Sequence, residues 1–192
     1  MIEIRIHGRG GQGSVVASKI LADAAFRDGM YVQSFPQYGV ERRGAPVTAF
    51  NRMGSPDEIF VRSQIYEPDH VVVLDPTLLL TVDVLKGLKK GGWVIINSPR
   101  DPEDFYKDFN FPRDYKVATV DASDIAVKWG LGSKTQPIVN TAILGALSKV
   151  TGIVTLESLK EAIRENAPVK KEENVNAAVE AYESVKMVQE VS

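Results

Sequence analysis

The sequence predicts an α/β fold, and three features carry that prediction. Short β-forming runs alternate with helical patterns through most of the chain, two of those runs are largely apolar, and everything after Pro137 reads as helix. Largely apolar strands suit a parallel sheet covered on both faces. The expected architecture is therefore a Rossmann-like, doubly wound, mostly parallel sheet with C-terminal helices. A chain of 192 residues with 44% hydrophobic content can form one substantial core, and the expectation is a single domain over residues 1–192.

Ile2, Ile4 and Ile6 alternate through Ile2 to His7, which marks a strand. A glycine cluster follows; Val16, Ile20 and Ala24 then share one helical face between Ser14 and Phe26, with Asp28-Gly29 as the stop. Tyr31 to Phe35 is a second strand running into Pro36, completing an opening βαβ unit. The polar stretch Gln37 to Pro46 reads as a functional loop over a sheet, followed by strands at Val47 to Arg52 and Glu58 to Arg62. His70 to Leu74 is a strand buried on both faces. Asp75-Pro76 opens a helix that ends near Lys89-Lys90-Gly91-Gly92, and Trp93 to Asn97 repeats the buried-strand pattern. Residues 98–115, rich in proline, aspartate and aromatics, are expected to form an irregular surface excursion. Lys116 to Val120 is a strand and Asp121 to Trp129 a short helix. Helices follow around Ile138, Ala142 and Leu144-Gly145-Ala146-Leu147, over Leu156 to Asn166, and over Glu172 to Met187.

Composition removes several function classes. A net charge of -2 gives no global field to recruit nucleic acid or an anionic membrane. The absence of cysteine excludes a disulfide, a Cys-ligated zinc, an iron–sulfur cluster held by this chain and a thiol nucleophile, so any redox centre sits elsewhere. The opening MIEIRIHG has no basic or long apolar signal region, and no later run is long enough for a bilayer; a soluble, cytoplasmic protein is expected. His7 and His70, the two histidines, belong to no metal-ligand pattern and read as structural. Trp93 and Trp129 read as core or interface anchors, and Lys170-Lys171 beside Glu172-Glu173 as a solvated face. Asp75 either touches a ligand at the sheet crevice or caps the helix after it. Without a Ser-His-Asp set, a carboxylate pair or a metal cluster, no catalytic residue and no metal ligand is assigned.

Gly8-Arg9-Gly10-Gly11-Gln12-Gly13 matches G-x-G-x-x-G where that pattern has mechanical meaning, between a strand and a helix. Its glycines permit close backbone approach, and the amides at the helix start form an anion site for a phosphate or carboxylate. The bland alternative is that the glycines only turn the chain; Ser14 is either a helix cap or a phosphate donor. A dinucleotide site would place an acid about 20 residues onward, where Gln33-Ser34-Phe35 stands instead, with Glu41 only in the loop beyond; no lysine follows the last glycine as a Walker A loop requires. Further on, Tyr38 to Pro46 carries Arg42-Arg43, two cations able to pair bidentately with phosphate oxygens, or else a basic turn or interface ion pair.

HGRGGQGSVVASKILADA followed by SFPQYGVERRGAPVTAF closely resembles the gamma subunit, or the equivalent fused domain, of the 2-oxoacid:ferredoxin oxidoreductases. Gln136-Pro137-Ile138-Val139-Asn140 leading into Leu144-Gly145-Ala146 also looks like that family. The resemblance implies a complex with alpha, beta and delta subunits in which the partners hold thiamine diphosphate, Mg2+ and 4Fe–4S clusters. Such a complex decarboxylates a 2-oxoacid, with pyruvate the nearest resemblance, passes electrons to ferredoxin and transfers the acetyl group to coenzyme A. It also implies that this chain binds no cofactor alone, and it makes Gly8, Arg9, Gly10, Gly11, Gln12, Gly13, Ser14, Arg42 and Arg43 candidate contacts for the phosphates of coenzyme A. Two other readings stay open: an independent NAD- or FAD-binding oxidoreductase, and a purely structural subunit.

Overall fold

The alternation at the N-terminus builds strand β1 (Ile2–Arg9), whose Ile4 and Ile6 are fully buried in the middle of a seven-stranded sheet. The structure, a computed structural model, describes residues 1–37 and 43–189. After β1 come helix α1 (Ser14–Arg27), β2 (Tyr31–Pro36), β3 (Pro46–Gly54), β4 (His70–Val73), β5 (Trp93–Asn97), α2 (Pro102–Asp108) and β6 (Lys116–Val120). Helices α3 (Ala122–Lys128), α4 (Asn140–Thr151), α5 (Leu156–Asn166) and α6 (Lys171–Ser184) and a short strand, β7 (Lys186–Met187), follow among the described residues.

The sheet order is β2-β3-β1-β4-β5-β6-β7. Strands β1, β4, β5 and β6 are parallel neighbours, while β3 lies antiparallel to both β1 and β2, and β7 lies antiparallel to β6. Two antiparallel steps restore direction, so β2 runs with β1. The expected βαβ unit is present, but β3 is inserted between its strands. One consequence positions the site: the loop after β1, the loop from β2 to β3 and the loop after β4 all leave from the same, carboxyl edge of the parallel strands, where ligands of open α/β sheets collect.

The two faces are covered unequally. Ile4, Ile6, Val72, Ile95, Ala118 and Val120 pack under α1 and α3–α6, whereas Val71, Val73, Val94, Ile96 and Val117 meet Val84, Leu88 and the aromatics of α2 and its flank. Helices α4 and α6 touch through Gly145, where a Cβ would lie 1.9 Å from the carbonyl oxygen of Ala178; only glycine permits that approach.

Four expectations are corrected. No strand forms over Glu58 to Arg62: Pro56–Glu58 is a 3-10 turn with a Ser55–Glu58 capping box, and the segment beyond is pinned by Arg52, whose guanidinium donates to the carbonyls of Val61 (3.2 Å) and Gln64 (3.3 Å). No α-helix runs from Asp75 to Lys89. A 3-10 turn, Pro76–Leu80, stops early, and Arg5 takes the carbonyls of Val84 (2.9 Å) and Lys86 (2.7 Å) that a helix would need for itself. The 98–115 excursion contains α2, started by Asp101 and Pro102, with Phe105 and Phe109 one helical turn apart and stacked at 5.3 Å. Finally, the last helix ends at Ser184, and Lys186–Met187 pairs instead with Thr119 and Ala118 of β6.

Candidate functional site at the carboxyl edge of the sheet

Gly13 occupies the cap position of α1 in the left-handed region (φ 79°, ψ 29°), and Gly11 also has positive φ (91°). A Cβ at position 13 would lie 2.6 Å from Asn140 Nδ2, so this glycine serves both the turn and the approach of α4. The first α1 bond runs from Ala17 N–H to the Gly13 carbonyl (2.9 Å), which leaves the amides of Ser14, Val15 and Val16 ahead of the helical ladder. Ser14 is not the cap; it is the first helical residue and is buried.

Two residues expected to reach ligand already hold partners within the chain. Gln12 Oε1 accepts the Arg9 backbone N–H (2.7 Å) and its Nε2 donates to Asp75 Oδ2 (2.9 Å). The Arg9 guanidinium donates to Thr77 Oγ1 (2.9 Å) and to the Gly44 carbonyl (3.1 Å), and its Nε lies 3.3 Å from Asp75 Oδ2. Asp75 in turn accepts from Thr77 N–H (3.0 Å) and Thr77 Oγ1 (2.6 Å). Burial pushes its carboxyl upward, but the hydrogen bonds from Thr77 and Gln12 and the charge of Arg9 outweigh that and hold it below its ordinary value. Asp75 thus caps the 3-10 turn after β4, as one of its two readings has it, and also clamps the Gly-rich turn.

The second loop lies against the first. Gly10 N–H donates to the Ala45 carbonyl (2.8 Å), Gly44 N–H to the Gly10 carbonyl (3.1 Å), and Gly10 bridges Arg43. Arg43 is exposed and donates to Gln136 Oε1 (3.2 Å), so it reaches the third segment. Arg42 lies outside the described residues. Asn140 closes the circle: its Nδ2 donates to the Gly13 carbonyl (3.3 Å) while its Oδ1 accepts from Thr141 N–H (3.0 Å). Gln136 and Asn140 were not among the candidate contacts; the signal that could have found them was the Gln136–Asn140 motif itself.

Beside these segments opens a cavity of about 460 Å³. The backbone of Gly11 and Gly13 forms one rim, Ile138 and Val169, both exposed, form apolar walls, and Lys170 stands opposite with its Nζ 2.6 Å from the Gly130 carbonyl. The arrangement pairs backbone donors and a cation with apolar surface, and it contains no nucleophile and base in contact. His7 and His70 stand apart from it. His7 accepts from Arg5 Nε (3.1 Å) and is held neutral by burial, then by the Arg5 charge, with its pKa lowered to about 3; His70 Nδ1 accepts from Trp93 N–H (3.1 Å), and burial lowers its pKa too. Among the described residues no group of three or more His, Asp or Glu can hold a metal ion, and no helix is long and apolar enough to cross a membrane.

A family model described as pyruvate ferredoxin/flavodoxin oxidoreductase matches residues 3–184. The chain is similar to the pyruvate/ketoisovalerate oxidoreductases common subunit gamma of Thermococcus kodakarensis, 55% identical over 95% of this chain and 96% of that one. It is similar to pyruvate synthase subunit PorC of Methanocaldococcus jannaschii, 52% identical over 95% and 96% of the two chains. Its structure is similar to the crystal structure of pyruvate oxidoreductase subunit PORC from Thermotoga maritima, with a TM-score of 0.82, 40% identity and 98% of each chain covered.

Proposed function

The chain belongs to the pyruvate ferredoxin/flavodoxin oxidoreductase family as a gamma-type subunit, and we propose that its part in the reaction is to hold coenzyme A by its phosphates at the Gly8–Ser14 turn and the Arg42-Arg43 loop. The observation that carries this reading is the bonding of the turn, Arg43 and the Gln136–Asn140 segment to one another, with Gly11, Gly13, Ile138 and Asn140 of these segments lining the cavity. Arg43 spends one of its five donors on Gln136, which leaves a fork for phosphate oxygens; Arg9, bound to Gly44, Thr77 and Asp75, has fewer donors left and is already paired with a carboxylate. The chain's contribution to rate is proximity. A phosphate anchor far from the reacting carbon can bring the thiol to the acyl intermediate without touching the chemistry.

The remaining parts of the reaction fall to other subunits in this reading. With no cysteine in its 192 residues, the chain does not fit an iron–sulfur cluster. The clusters therefore belong to partner subunits, and the family resemblance implies that thiamine diphosphate, Mg2+ and the docking of ferredoxin belong to the alpha, beta and delta partners as well. The relative from Thermococcus kodakarensis is named as common to pyruvate and ketoisovalerate oxidoreductases, which supports placing the choice of 2-oxoacid outside this chain. A dinucleotide reading finds less support. Where β2 ends, Gln33 accepts from Arg52 (2.9 Å) and Ser34 pairs with Ser18 (2.8 Å), and no acid stands there for ribose hydroxyls.

The test is Arg43→Glu in the assembled oxidoreductase. The expected result is a KM for coenzyme A raised about tenfold or more, from loss of one charge-assisted pair, with subunit recovery unchanged. An unchanged KM sinks the assignment. The bonds of Arg9 and Gln12 within the chain favour a second reading, in which the loops serve subunit packing alone; it requires the variant complex to fall apart instead.

A further inference from the structure

Gln12, half-buried at the cavity edge, and Asp75 behind it tie side chains of three segments together, alongside the backbone bonds between Gly10, Gly44 and Ala45. Gln12 Oε1 is fixed by the Arg9 backbone N–H (2.7 Å), so its amide nitrogen must point at Asp75 (2.9 Å). Asp75 needs both oxygens as acceptors: Oδ1 takes the N–H and the hydroxyl of Thr77 (3.0 and 2.6 Å), and Oδ2 takes Gln12 and faces Arg9 Nε (3.3 Å). Arg9, oriented there, reaches the Gly44 carbonyl of the second loop (3.1 Å). The chain of bonds Gln12–Asp75–Arg9–Gly44 joins three segments that are distant in sequence.

We infer that Gln12 and Asp75 are positioning residues, and that the polarity of the single amide-to-carboxylate hydrogen bond between them sets how the Gly-rich turn and the second loop stand to one another. The kinetic consequence rests on the coenzyme A reading above; the structural one does not. Gln12→Glu sets two carboxylates face to face. Asp75→Asn sets a donor against Gln12 or against Thr77, whichever way the new amide turns. The double variant Gln12→Glu/Asp75→Asn moves the carboxylate to position 12 without changing net charge. There it can accept from both the Arg9 N–H and the new amide at position 75, so that bond is restored in reverse, while the ion pair of Arg9 with position 75 is not.

The experiment places the three variants in the assembled oxidoreductase. It reads hydrogen exchange of the peptides spanning Arg9–Gly10 and Gly44–Ala45, together with KM for coenzyme A and kcat at saturating coenzyme A. Each single variant is expected to speed exchange and raise KM about tenfold, with kcat retained, and the double variant to recover about threefold of that loss, the Arg9 ion pair with position 75 staying broken. Exchange that follows this pattern while KM stays constant supports the positioning role and sinks the coenzyme A reading. Unmoved exchange in the single variants, or a double variant no better than they are, overturns the positioning role.

Discussion

His7 is neutral in the folded chain because burial and the neighbouring Arg5 lower its pKa to about 3. Its ordinary value is 6.5, so the folded state binds fewer protons than the unfolded state between those values. Stability from this group is complete above the unfolded pKa and is lost as pH falls toward the folded one. Between about pH 7.5 and pH 5 that loss is about 2 kcal/mol for one such histidine, read by urea unfolding of the chain at the two pH values. His7→Gln, which keeps an acceptor for Arg5, is expected to remove His7's share and leave the smaller one from His70; an unaltered pH dependence would refute the account. The structural role of both histidines was legible because neither has a partner at ligand spacing. The engagement of Arg9 and Gln12 with partners in other segments was not. Their partners Gly44, Asp75 and Thr77 lie more than 30 residues away, and no local pattern reports a side chain turned back under its own loop.

At the scale of elements, α4 and α6 depend on one missing side chain. Gly145→Val drives a branched group into the Ala178 carbonyl, and the expected cost is about 3 kcal/mol of unfolding free energy, at the upper end for overpacking. A variant within about 0.5 kcal/mol of the parent in urea would show that α6 can slide away freely. The elements read most accurately were those whose cause is local. Trp93–Asn97, Lys116–Val120 and Leu156–Asn166 match their expected ends because apolar runs and a Thr155 cap define them. The failures at Glu58 to Arg62 and after Pro76 share a remote cause. In each, a buried arginine on a distant strand, Arg52 or Arg5, claims backbone carbonyls that the predicted element would have paired. α2 escaped because it is only seven residues long, too short for a periodic pattern to stand out.

For the molecule as a whole, β4 and β5 of the parallel core followed from apolar runs and β1 from alternation, but the place of β3 in the strand order did not. Nothing in residues 46–54 announces that they slip between β1 and β2. Unequal covering of the sheet predicts where the molecule opens first. One face lies under five helices; much of the other is covered by the non-helical stretch that Arg5 fastens through Val84 and Lys86. Native-state hydrogen exchange should find the amides of Val84 and Leu88 exchanging before those of β4 and β5, and simultaneous exchange would mean the two faces unfold as one unit. Thr77 begins that thin stretch and also holds the Arg9 guanidinium. The lining of the weaker face is therefore the hem of the ligand edge, and each transient loosening there slackens the thread that keeps the two loops in register.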